Sequence, residues 1–116
     1  MTPGVYDFDL VRGTTSPFVF QLKTTDDAGA ETNMPYEDVR LTLYANGEFL
    51  FRKSLAEDTL ESDSDNAEIM WTPTVEESRL IPQGRNTRYE VEVRYAGGQE
   101  VYLVGAITGL GGLNDD

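Results

Sequence analysis

The sequence contains no cysteine and no histidine. The absence of cysteine excludes a disulfide framework and a thiolate metal site. The absence of histidine removes the usual base of a serine triad, and the sequence has neither a Gly-x-Ser-x-Gly turn nor a glycine-rich phosphate loop that opens a helix. We therefore predict a protein that is not an enzyme and that has no catalytic residue, no cofactor and no metal centre.

Basic residues are scarce as well. Nine Lys and Arg residues stand against 21 Asp and Glu residues, which gives a net charge of −12. A surface of this charge repels phosphate, so the sequence predicts no binding to nucleic acid. A basic partner, a divalent cation or simple solubility fits this charge better.

Long apolar runs are also missing. No segment approaches the length of a transmembrane helix, and Met1–Asp7 has neither the basic nor the apolar region of a signal peptide. These observations predict a product that is made in the cytoplasm and does not contact a membrane.

The segment from Leu80 to Tyr95 is the most informative about the fold. The apolar positions from Tyr89 to Tyr95 alternate strictly with the charged positions from Arg88 to Arg94. This period of two is typical of a half-buried antiparallel strand. Six other segments read as strands in the same way, at residues 6–10, 18–23, 39–45, 48–55, 67–71 and 101–107.

Local turn and helix signals connect these strands. Asn46-Gly47 predicts a tight hairpin, and Gly97-Gly98 predicts a second one. Thr74 and Glu77 have the spacing of a capping box, which predicts one or two helical turns up to Leu80. We therefore predict an all-β fold, an antiparallel β-sandwich of about seven strands with one short helix, in residues 1–108. Residues 109–116 form a Gly/Asp-rich C-terminal tail.

Two aromatic residues are predicted to be structural. Trp71 continues an alternating strand, which indicates a core position. Tyr89 follows a Pro-x-Gly segment, so its ring is expected in the core and its hydroxyl is expected to return to a nearby backbone group, as in a tyrosine corner.

The acidic segment at residues 57–68 has alternating oxygen-bearing side chains, as calcium loops do. It lacks the central Gly and the distal Glu of such a loop, because Glu68 lies too close. A solvated loop is the favoured interpretation, and cation binding stays an open alternative.

Two predicted strands are apolar on both faces. In residues 101–107 the alternate set includes Tyr102 and Val104, and in residues 48–55 it includes Leu50. A two-layer sandwich exposes one face of each sheet to water, so these second faces are expected to meet another subunit, the tail or the short helix, or to be buried under the chain's own loops. The predicted protein interface is formed by Leu50, Tyr102, Val104, Leu110 and Leu113.

The order of segments resembles the immunoglobulin-like domains of tailed-bacteriophage structural proteins, and in particular the N-terminal domain of baseplate upper proteins. The resemblance begins with Arg12-Gly13-Thr14 inside the segment Asp9–Phe20. It continues through Val39–Leu43, Trp71–Pro73, Pro82–Gly84, Tyr89–Val93 and Leu103–Ile107. These motifs cover nearly the whole chain, although family members continue into helical or receptor-binding regions.

The resemblance implies a virion structural protein that is located in the tail, tail fibre or baseplate. Its expected partners are other virion structural proteins, and it is expected to be a homo-oligomer or to occur in many copies. A capsid decoration or head–tail joining protein is the alternative within the same class. A carbohydrate or cell-surface binding module is the alternative of another class, with Tyr36 and Tyr44 as candidate exposed aromatics.

Overall fold

The protein is a β-sandwich with a single short helix, as a computed structural model shows. The structure describes residues 3–25, 28–33, 36–63, 65 and 67–111. This architecture confirms the predicted all-β class and the single helix.

Eleven strands and one helix, α1, are present in the described residues. The first five strands are β1 (Gly4–Val5), β2 (Phe8–Val11), β3 (Phe18–Gln21), β4 (Lys23–Thr25) and β5 (Glu31–Asn33). The others are β6 (Asp38–Ala45), β7 (Glu48–Ser54), β8 (Glu61–Asp63), β9 (Glu68–Trp71), β10 (Gly84–Tyr95) and β11 (Gly98–Leu110), and α1 is Val75–Leu80.

Two sheets form the sandwich. The large sheet has the order β1-β11-β10-β6-β7, with β2 also paired to β11, and the small sheet has the order β3-β9-β8. Strands β4 and β5 form a separate two-stranded ribbon. When β4 and β5 are set aside, this division of strands corresponds to the two sheets of an immunoglobulin-like sandwich.

The edge of the large sheet departs from the predicted antiparallel pattern. Strands β1 and β2 both pair with β11 in parallel, and Gly4 lies opposite Leu103. This pairing was not predicted, because it joins segments almost a hundred residues apart and has no local sequence signal.

The core lies between the two sheets. The inward residues of β10 and β6 are almost completely buried, and so are Ile69 and Trp71 on β9. The Phe51 ring lies 5.7 Å from the Trp71 ring, which confirms the predicted core position of Trp71. The buried cluster consists of Leu10, Phe18, Phe20, Leu22, Val39, Leu41, Leu43, Leu60, Ile69, Trp71, Ile81, Tyr89, Val91, Val93 and Ile107.

The local sequence signals are confirmed. Asn46 and Gly47 have φ angles of 53° and 81°, the left-handed values that a tight hairpin turn requires. The Thr74 hydroxyl accepts a hydrogen bond from the Glu77 N–H (3.1 Å), and the Glu77 carboxylate accepts one from the Thr74 N–H (3.0 Å). This reciprocal capping box starts α1.

Helix α1 is held at its C-terminal end by the turn after β2. The Arg12 guanidinium donates hydrogen bonds to the carbonyl oxygens of Ile81 (2.8 Å) and Arg79 (3.0 Å). The Gly13 N–H donates to the buried Ser78 hydroxyl (2.8 Å). The Arg12-Gly13 pair therefore satisfies groups that the short helix leaves unpaired at its end.

Several element boundaries differ from the prediction. The short strands β1, β4, β5 and β8 bring the count to eleven rather than about seven, because segments of two or three residues are too short to show a period of two. Strand β11 continues through Gly109 to Leu110, two residues into the predicted tail. The second hairpin turns at Ala96-Gly97, one residue earlier than predicted.

Candidate protein-interaction surfaces

Tyr102 lies on the inner side of the large sheet because β11 contains a β-bulge. Val91 pairs with Leu103 and Glu92 pairs with Val101, so Tyr102 is the extra residue between the two pairs. Its ring packs against the core, and its hydroxyl accepts a hydrogen bond from the Lys23 N–H (2.9 Å). The Tyr102 hydroxyl also lies 2.9 Å from the carbonyl oxygen of Gln21, to which it donates at the end of β3, so it connects the large sheet to the small one. Tyr102 therefore lies inside the sandwich rather than on an outer contact surface.

Leu50 is placed by a second bulge of the same kind. Leu43 pairs with Phe51 and Tyr44 pairs with Phe49, which leaves Leu50 as the extra residue of β7. Its side chain is partly buried and packs against the core cluster. The doubly apolar pattern of both strands therefore arises in part from bulges, each of which turns one apolar residue inward.

The other predicted interface residues lie elsewhere. Val104 is partly buried on the outer side of the large sheet, between Glu90 of β10 and Val5 of β1. Leu110 is 41% exposed at the end of β11, next to the exposed Val11 of β2. Leu113 lies outside the described residues.

The outer face of the large sheet combines aromatic and arginine side chains. The exposed rings of Tyr44 and Phe49 lie 6.0 Å apart in an edge-to-face arrangement. The Arg52 guanidinium lies 6.0 Å from the centre of the Phe49 ring, and its Nε donates to the Thr42 hydroxyl (3.1 Å). We call this surface the arginine face; its other charged members are Asp38, Arg40, Arg88, Glu90, Glu92 and Arg94.

Two ion pairs lie on the arginine face. Arg94 Nε and the Glu92 carboxylate are 2.9 Å apart, and Arg40 Nε and the Asp38 carboxylate are 3.4 Å apart. Both pairs are partly exposed to solvent, so each contributes little to stability and can exchange partners. This surface holds four of the nine basic residues of the chain.

The outer face of the small sheet has the opposite charge. The register places Glu61 opposite Met70 and Asp63 opposite Glu68, and the exposed Val19 also lies opposite Met70. Directly opposite residues on neighbouring strands point to the same side, so an apolar centre is flanked by three carboxylates. We call this surface the acidic face; it has no basic member among the described residues of β3, β8 and β9.

A third surface is the groove between β2 and β3, where the two sheets are not hydrogen-bonded to each other. Tyr6, Phe8 and Phe18 form an aromatic stack there, with the Phe8 and Phe18 rings 4.2 Å apart. Tyr6 is 53% exposed, and Val11 and Val19 line the groove near its rim. The sequence analysis missed these residues, although an alternating aromatic pair at positions 6 and 8 was a signal for them.

Tyr89 connects this groove to the core. Its hydroxyl donates a hydrogen bond to the carbonyl oxygen of Tyr6, a residue far away in sequence rather than a nearby one. Burial, followed by the neighbouring Asp7 carboxylate, raises the pKa of the Tyr89 hydroxyl well above its usual range. Tyr89 is therefore a neutral structural donor, in agreement with its predicted structural role.

The candidate aromatics for a carbohydrate site do not come together. Tyr36 is partly buried against the core and precedes β6, whereas the exposed Tyr44 lies near the other end of that strand. Eight residues of extended chain separate them by about 25 Å, which is too far for one sugar-stacking platform.

The described residues contain no group of three or more acidic side chains that could hold a metal ion. Two positions of the predicted acidic loop, 64 and 66, lie outside the described residues. Within the part of the chain that is described, no helix has the length and apolar character needed to span a membrane.

No protein-family model matches this chain, and a search of curated proteins found no match either.

Proposed function

We propose that the chain is a non-enzymatic structural protein of a tailed-phage virion, located in the tail, tail fibre or baseplate, where it assembles through protein–protein contacts. The observation that carries this proposal is the set of exposed apolar side chains on the outer surfaces of both sheets. Phe49 is 57% exposed, Tyr44 is 39% exposed, and Val19 is 43% exposed on the opposite side. Contiguous apolar surface framed by polar residues is typical of protein contact sites.

The strand order and the sequence motifs support the same proposal. The division into β11-β10-β6-β7 and β3-β9-β8 is that of an immunoglobulin-like sandwich, and the resembling phage domains have this fold. The Arg12-Gly13 part of the resemblance has a physical role here, because it fixes the end of α1. Fold alone does not define function, so the proposal rests on the surfaces as well.

The proposal is tested by particle composition. Particles are purified by density gradient from the phage or lysogen that encodes the chain, and their proteins are identified by mass spectrometry. We expect the chain in the particle fraction in several copies, and its absence from intact particles contradicts the proposal.

Chemical cross-linking of the same particles locates the chain. Cross-links to tail or baseplate proteins support the proposed location. Cross-links to the major capsid protein or to the head–tail connector contradict it and favour a decoration or joining role.

A further inference from the structure

The arginine face and the acidic face lie on opposite sides of the molecule. Each sheet turns its inner residues toward the shared core, with Val91 and Leu41 on one side and Ile69 on the other. The two outer faces therefore point in opposite directions. In a chain with a net charge of −12, four of the nine basic residues lie on the arginine face, and none lies on the described strands of the acidic face.

The two faces are complementary in apolar content as well as in charge. The arginine face has the Tyr44–Phe49 aromatic pair next to exposed Arg52. The acidic face has Val19 and Met70 at its centre, within reach of Glu61 and Glu68. The arginine face has four arginines and three carboxylates, a net charge of +1, and two of its arginines are already paired with carboxylates on the same face. Arg52 and Arg88, beside the aromatic pair, therefore supply the positive charge, whereas the acidic face has three carboxylates and no basic residue among its described strands. Two apolar centres with net charges of opposite sign are suited to a specific protein contact.

We infer that the partner of the arginine face is the acidic face of a second copy of this chain. This inference deepens the proposed function and rests on it, since it names one of the contacts by which the protein assembles. Because the two faces differ, the contact is heterologous: each copy uses its arginine face toward one neighbour and its acidic face toward the other.

A heterologous contact leaves both ends of every complex open. The two faces lie on opposite sides of the sandwich, so successive copies stack along the direction that crosses the two sheets. Such a stack ends either by closing into a ring or by meeting a different protein. A symmetric contact, by contrast, would set a net charge of +1 against +1 through the arginine faces, or three carboxylates against three through the acidic faces, and neither has complementary charge.

The first experiment measures mass by sedimentation velocity over protein concentrations up to about 200 µM, at about 20 mM and about 0.5 M NaCl. We expect the average mass to rise with concentration beyond that of a dimer at low salt, and to fall toward the monomer mass of 12.9 kDa at high salt. A monomer at every concentration, or a dimer that ignores salt, overturns the inference.

Two double variants test the faces separately. Arg52→Ala/Arg88→Ala weakens the arginine face, and Glu61→Lys/Glu68→Lys reverses the acidic face. Each variant alone is expected to associate about tenfold more weakly than the unmodified chain, since two exposed charge contacts are lost. The control is Glu76→Lys, which reverses an exposed charge on α1, outside the strands that form both faces, and it is expected to keep assembling.

Mixing the two face variants is the decisive step. One arginine face and one acidic face remain intact in the mixture, so an equimolar mixture is expected to give a complex of two chains and nothing longer. Continued self-association of the Glu61→Lys/Glu68→Lys variant, or no complex in the mixture, overturns the head-to-tail contact. Circular dichroism of each variant confirms that the sandwich is intact.

The two proposals fail separately. If the chain is monomeric in solution but is found in purified particles, the head-to-tail contact is contradicted and the virion role is supported. If the chain forms stacks in solution but is absent from purified particles, the virion role is contradicted and the head-to-tail contact is supported.

Discussion

Gly105 shows how a single residue sets the approach of the N-terminal segment to the large sheet. A Cβ atom built at this position collides with the carbonyl oxygen of Tyr6 and comes within 2.9 Å of the Tyr89 ring. The collision involves backbone, which cannot move aside as the end of a flexible side chain can. The hydrogen bond from Tyr89 to Tyr6 therefore depends on a residue with no side chain.

We expect Gly105→Ala to lower the free energy of unfolding by about 2–3 kcal/mol, because the added methyl group displaces the segment that carries Tyr6. Urea unfolding followed by circular dichroism measures this loss. Gly29→Ala is the control, since Gly29 has a φ of +84° and no neighbour within 4 Å of the added atom. It is expected to cost only the backbone strain of about 1 kcal/mol. Equal losses in the two variants would contradict the steric explanation.

The Glu77 carboxylate stabilises the start of helix α1. Burial by itself would raise the pKa of the Glu77 carboxyl, but the hydrogen bonds from Lys53 and from the Thr74 backbone outweigh it and lower the pKa below its ordinary value of 4.5. The Lys53 ammonium also forms an ion pair with this carboxylate. The charged form of Glu77 is thus bound more tightly in the folded protein than in the unfolded one.

This shift predicts a pH-dependent stability. Because the folded-state pKa is lowered, the stabilisation is fully present above about pH 4.5 and is lost as the pH falls through the folded-state value. We expect Glu77→Ala to cost about 1–2 kcal/mol at pH 7, and Glu77→Gln to cost less, because the amide oxygen can still accept the Thr74 N–H. Urea unfolding from pH 7 to pH 3 measures both variants. A difference from the unmodified chain that stays constant down to pH 3 would contradict the role of the carboxylate charge.

The elements that could be predicted from the sequence are those that neighbouring residues determine. The Asn46-Gly47 turn, the capping box at Thr74 and the alternation of β10 were all identified, because local backbone preference and side-chain period determine them. The bulges at Leu50 and Tyr102 were not predicted, because a bulge is defined by the register between two strands. The predicted interface assumes strict alternation along both strands. The bulges break this alternation, so Leu50 and Tyr102 lie inward.

The exposed residues of the candidate surfaces were predictable only in part. The charged side of β10 was visible in the sequence, and so was the acidic segment that supplies Glu61 and Glu68. Their positions on opposite sides of the sandwich were not visible, since these depend on which strands form which sheet.

At the scale of the whole molecule, the net charge of −12 opposes folding through mutual repulsion. We expect the melting temperature to rise by roughly 3–5 °C between low salt and about 0.2 M NaCl, because counter-ions screen this repulsion. Differential scanning fluorimetry at low protein concentration measures the shift. Salt should thus stabilise each chain while it weakens the proposed contact between the arginine and acidic faces.

Calcium chloride at matched ionic strength is the comparison for this experiment. We expect the same rise as with NaCl if screening alone acts on the chain. A clearly larger rise with calcium would indicate a bound cation and would support cation binding by the acidic segment at residues 57–68.

The parallel pairing of β1 and β2 with β11 has a consequence for how the protein is made. The hydrogen-bonding partners of residues 4–11 are residues 103–110, which are synthesised almost a hundred residues later. During that interval the aromatic side chains of Tyr6 and Phe8 have no sheet edge to join. The large sheet is complete only after β11 has been synthesised, so this edge of the sandwich folds late relative to the segment that forms it.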